Sequence, residues 1–166
     1  MKHSIFFLFV ILGISCQNPA SPEIGIDGEL KKWHKVTLVF NGPETSEAAV
    51  ENPFLHYKLD VEFSHGNTRY LVPGYFAADG NAGESSATAG GIWKVHFRPD
   101  QSGTWTYKVF FREGKNIAVL DGENLGEPVA LDGAEGSLEI GETDKGSPDF
   151  RGRGRILNGE KGYFRF

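Results

Sequence analysis

Three stretches of this sequence alternate apolar and polar residues with a period of two, and no segment of it makes a credible helix. In 57–64, Tyr57, Leu59, Val61 and Phe63 fall on one face, and Lys58, Asp60, Glu62 and Ser64 on the other. In "IWKVHFRP", Trp93, Val95 and Phe97 oppose Lys94, His96 and Arg98. In "GTWTYKVFF", Trp105, Tyr107, Val109 and Phe111 share a face. A strand of this pattern buries one side only, so it must pair edge to edge with others and pack that side against a second apolar layer. The chain is therefore committed to an antiparallel β architecture.

The remaining segments fit the same plan. "WHKVTLVF" (33–40) is β-branched and aromatic, and "NGPETSEAAVENPF" after it carries no more than a helical turn. "TRYLVPGYFAA" returns from the turn "HGN", with Pro73 predicting an edge or a bulge. "DGNAGESSATAGG" is a long small-residue loop, and "NIAVL", "PVALD" and "GSLEIG" continue the rhythm of short runs broken by Gly, Asp and Asn. The 22 glycines and 8 prolines suit such a turn-rich chain. About seven short strands over roughly 110 residues predict an all-β fold, an immunoglobulin-like antiparallel β-sandwich, over residues 30–141. Residues 142–166, polar and rich in Gly and Arg, read as a connector to a downstream domain.

The N-terminus is a separate unit. Lys2 and His3 precede the apolar run "IFFLFVILGI", and Cys16, the only cysteine of the chain, follows Ser15. Ten apolar residues fall short of the roughly twenty that span a bilayer, so residues 1–15 read as an export signal. "GISC" resembles the lipobox of bacterial lipoproteins, with Gly13 where leucine is usual; the resemblance implies cleavage before Cys16 and lipidation of its thiol. Lipidation also accounts for a lone cysteine in an exported chain. Residues 16–29, with prolines and small polar residues, then form a flexible tether, and the expected location is the bacterial cell envelope, at its periplasmic face or at the cell surface.

A formal charge of −5, from 17 basic and 22 acidic residues without long runs, argues against nucleic acid as a partner. No catalytic constellation is legible: the carboxylates lie mostly in turns and on polar strand faces, and no metal-ligand spacing, paired cysteines or nucleophile elbow occurs. Neither a cofactor nor a metal is expected. "DGNAGE" (79–84) lacks the closing glutamate of a calcium loop and reads as a hairpin loop, while the arginines of "RGRGR" (151–155) read as pairing with acids on a neighbouring domain. Aromatic platforms for a sugar are the remaining candidates. Trp93 and Trp105 have apolar i+2 neighbours and belong to the core, which leaves Trp33, Tyr75 and Phe76, beside the loop 79–91, as candidate carbohydrate-binding residues.

"DQSGTWTY" (100–107) resembles the run into the F strand of immunoglobulin-like domains; the resemblance implies Trp105 in place of the corner tyrosine and Tyr107 in place of the second disulfide cysteine. Together with "KVTLVFNGPETSE", "NPF", "VPGYFAADGNAGESSATAGGIWKVHFRP" and "DFRGRGRI", it resembles the N-terminal immunoglobulin-like domain of unknown function that precedes the (β/α)8 barrel in presumed bacterial glycoside hydrolases, including apiosidase-like enzymes. The resemblance implies a non-catalytic accessory domain, anchored to the membrane by lipid, that packs against or positions a downstream catalytic barrel acting on a plant-type polysaccharide. Catalytic residues would belong to that barrel, so none is assigned here. A stand-alone carbohydrate-binding module and a surface lipoprotein that contacts protein are the alternatives.

Overall fold

The computed structural model describes residues 24–122, 125–158, 162 and 164–165. The signal segment 1–15, Cys16 and the first part of the tether lie outside the described residues. The chain forms an antiparallel β-sandwich, with seven strands of four residues or more among the described residues: β1 (Gly25–Gly28), β2 (Val36–Ser46), β3 (Tyr57–His65), β4 (Thr68–Pro73), β6 (Ala89–Phe97), β7 (Gly103–Glu113) and β9 (Glu135–Ile140). The two-residue strands are β5 (Tyr75–Phe76), β8 (Glu127–Pro128), β10 (Leu157–Asn158) and β11 (Phe164–Arg165).

One sheet has the order β1-β2-β6-β5; the other runs β4-β3-β7, with β8 and β9 both pairing β7. The alternating segments occupy the central strands and turn their apolar faces inward as the period-two pattern requires: Leu59, Val61 and Phe63 of β3, Trp93, Val95 and Phe97 of β6, and Trp105, Val109 and Phe111 of β7 are all buried. Across the core, Phe63 stacks on Phe97 at 4.0 Å and Trp93 meets Phe111 edge to face at 4.9 Å. Trp105 is fully buried, and its indole N–H donates to the Gln101 carbonyl at 3.0 Å, tying the turn before β7 to the strand itself.

Pro73 does end an edge strand. β4 is the outer strand of its sheet, and at Gly74 the chain crosses to the other sheet, where β5 pairs β6. Other segments depart from the sequence reading. Gly25–Gly28, read as tether, pairs with β2 because Val36–Val39 offers a free edge. "NIAVL" forms a 3-10 turn at Ile117–Val119, with Ile117 buried, and of the "PVALD" stretch only Pro128 belongs to a strand. Apolar runs of four or five residues do not distinguish a strand from a packed turn.

Candidate functional site

Where the β4 edge approaches β6, a groove of about 290 Å³ opens between the sheets, lined by Trp33, Tyr70, Leu71, Val72, His96, Phe97, Arg98, Gly154 and Arg155. Trp33 is the residue that shapes it. Its backbone is left-handed, with φ at 68°, a conformation that costs energy for a bulky side chain and persists only when neighbours hold it. They do so here: the Trp33 N–H donates to the Pro99 carbonyl at 2.8 Å, and the Trp33 carbonyl accepts from Arg98 Nε and Nη2 at 3.1 and 2.9 Å. The indole, half-buried, lies against Gly154, where an added Cβ would stand 3.0 Å from its ring carbons.

Tyr75 adjoins this groove and is 41% exposed. Its hydroxyl bonds His96 Nε2 at 2.9 Å, and His96 Nδ1 bonds Thr37 Oγ1 at 2.9 Å. Burial holds the His96 imidazole below its ordinary pKa, with Lys35 and Lys94 adding to the effect, so the ring is neutral near pH 7 and relays a hydrogen bond rather than a charge. Phe76, named with Trp33 and Tyr75 from the sequence, is instead core: it is 5% exposed and packed on Trp93 and Phe54. Adjacent residues of a strand face opposite ways, so Tyr75 and Phe76 could not both line one surface.

On the far side of the groove the C-terminal segment is fastened to the sandwich. Gly141 forms a bridge with Lys31, Asp144 accepts from Lys31 at 2.8 Å, and Glu142 pairs with Lys32 at 2.6 Å. Lys31 and Lys145 hold the Asp144 carboxyl well below the usual aspartate range, and hydrogen bonds from Arg151 bring Asp149 down to about 2. Further on, the Arg155 guanidinium lies 4.6 Å over the Tyr70 ring and 3.6 Å from Asp100, whose Oδ2 also accepts from the Tyr70 hydroxyl at 2.5 Å. Two arginines of "RGRGR" pair within this chain, Arg151 with Asp149 and Arg155 with Asp100.

Glu29, His34 and Asp144 each offer one ligand atom within 4.8 Å of the others. His34 meets Glu29 through Nδ1, but faces Asp144 and the Thr143 hydroxyl through Nε2. One ring nitrogen serves one ion, so this geometry suits a hydrogen-bonded joint between the strand entry and the C-terminal segment better than a metal site. The joint was not legible in the sequence, because Glu29 and His34 lie more than a hundred residues from Thr143 and Asp144.

The described chain thus defines a class: a two-sheet antiparallel sandwich with a side groove and a C-terminal segment clasped beside it. The sequence matches the family "Domain of unknown function (DUF5060)" over residues 29–112, half of the chain, and the protein belongs to that family. Among solved structures, that of a presumed glycoside hydrolase from Bacteroides vulgatus resembles it with a TM-score of 0.54 at 18% identity, over 82% of this chain. The match spans 19% of that protein's length. At this identity the likeness concerns the fold. No curated protein matches the sequence.

Proposed function

We propose that this chain is the non-catalytic accessory β-sandwich of a lipid-anchored bacterial carbohydrate-active protein, and that its C-terminal segment sets the direction in which a glycoside-hydrolase barrel is carried. The observation that supports it best is the clasp: residues 141–155 are tied to the sandwich at Lys31, Lys32, Trp33, Tyr70 and Asp100. A connector held at five points transmits orientation, whereas a free linker does not. The family membership and the fold's likeness to one part of a presumed glycoside hydrolase agree with this reading. In this reading the lipid anchor is Cys16, where "GISC" resembles a lipobox.

Hydrogen exchange on the full chain tests it. Residues 141–155 are expected to be protected, and Trp33→Ala to speed their exchange at least tenfold while β3 and β7 are unaffected. Free exchange of the segment in the unaltered protein would remove the basis for the proposal. Incubation with pectic and hemicellulosic polysaccharides should release no reducing ends.

A second reading, a carbohydrate-binding module, is favoured by Trp33 lining a groove whose His96 is bonded by the exposed Tyr75. Affinity electrophoresis against the same polysaccharides decides it, since retardation abolished by Trp33→Ala would place the sugar there.

A further inference from the structure

The polar face of the five-stranded sheet carries a second cavity, of about 480 Å³, within the range of small-ligand pockets. Its floor is made by Asp60 of β3 and Phe110 of β7, which face each other directly across the strand pair, and Leu71 and Leu125 line its sides. Lys58, Glu62, Arg112 and Gly122 complete the lining.

Most of the charged groups here are already occupied. Arg112 forks onto Asp132, with Nη2 and Nε at 3.0 and 3.1 Å; Glu62 accepts from Arg69 at 2.7 Å; and Lys58 donates to the Leu120 carbonyl at 2.9 Å. Asp60 differs from them. Among the described residues its carboxylate has neither a hydrogen bond nor an ion pair, and burial raises its pKa above the ordinary value, with Lys58 opposing the rise. Its oxygens open to solvent in the cavity, so both are free to accept hydrogen bonds from a ligand that donates to them. Phe110 is partly exposed, has no aromatic neighbour among the described residues, and lies beside it.

This combination selects a ligand. An anion would meet Asp60 and Glu62 with no uncommitted arginine to receive it. A simple cation would meet Lys58 and Arg112 in the same lining, and would leave Phe110 and Leu71 uncovered. A neutral ring with an apolar C–H face and hydroxyl donors on its rim satisfies both the carboxylate and the phenyl. We infer that the cavity over Asp60 and Phe110 binds a neutral pyranose unit of a glycan, the hydroxyls donating to Asp60 and the ring lying on Phe110. None of the residues lining the site takes part in the clasp, so it holds or fails independently of the accessory role.

The test is calorimetric titration of the full chain with the β-1,4-linked hexaoses of glucose, xylose and mannose, and with hexagalacturonate as the charged comparison. At least one neutral hexaose should bind, and Asp60→Ala and Phe110→Ala should each weaken it tenfold or more. Asp60→Asn keeps size and one acceptor; it should melt no lower than the unaltered protein at neutral pH and bind with intermediate affinity. Binding should also weaken as pH falls through the Asp60 pKa, because the ionised carboxylate is the better acceptor. The inference is overturned if no neutral hexaose binds, if hexagalacturonate binds more tightly, or if binding survives Asp60→Ala and Phe110→Ala but not Trp33→Ala.

Discussion

Trp105 has no exposed surface, stacks with Tyr70 and His65, meets Phe97 edge to face, and spends its single donor on Gln101. Its apolar i+2 neighbours made the buried face legible, since alternation over nine residues leaves only one side for the core. Trp105→Ala should cost about 3–5 kcal/mol in chemical denaturation. Trp105→Phe should cost less, losing volume and leaving the Gln101 carbonyl without its indole partner; equal losses for the two would show that the hydrogen bond and the indole's second ring carry the whole effect and the retained phenyl none. Phe76 shows the limit of the same reasoning: β5 is two residues long and follows a change of sheet at Gly74, too short a run for period two to reveal which residue faces in.

At the scale of elements, β9 depends on a small residue. Gly136 lies opposite Tyr107 in the register, and a Cβ there would stand 2.3 Å from the Tyr107 hydroxyl oxygen. Gly136→Val should therefore push Tyr107 off its site or lift β9 from β7, costing about 1–3 kcal/mol. Thermal melting measures the loss, and amide exchange in 135–140 shows whether the strand or the ring has yielded. Unchanged melting would mean that Tyr107 moves without penalty. "GSLEIG" was legible as a strand because Leu138 and Ile140 alternate with polar residues, and both are buried. The pairing of Gly25–Gly28 was not, because its four residues are all exposed and gain their place from the edge of β2, not from an apolar face.

For the molecule as a whole, the anchor and the clasp would act from opposite ends of the sandwich sequence. If Cys16 is the lipidated residue, cells given radioactive fatty acid should label the unaltered protein, while Cys16→Ala should lose the label and leave the membrane fraction. Label retained in the variant would refute the anchor. The sequence by itself determined the main strand-forming segments and the inward faces of β3, β6 and β7, because each depends on residues close together in the chain. Only tertiary structure decided that Trp33 packs on Gly154, that Arg155 reaches Asp100, that His34 joins Glu29 to Thr143, and that Asp60 and Phe110 share a cavity. Those contacts unite residues tens of positions apart, and their register follows from how two sheets pair and stack, a property that no local periodicity encodes.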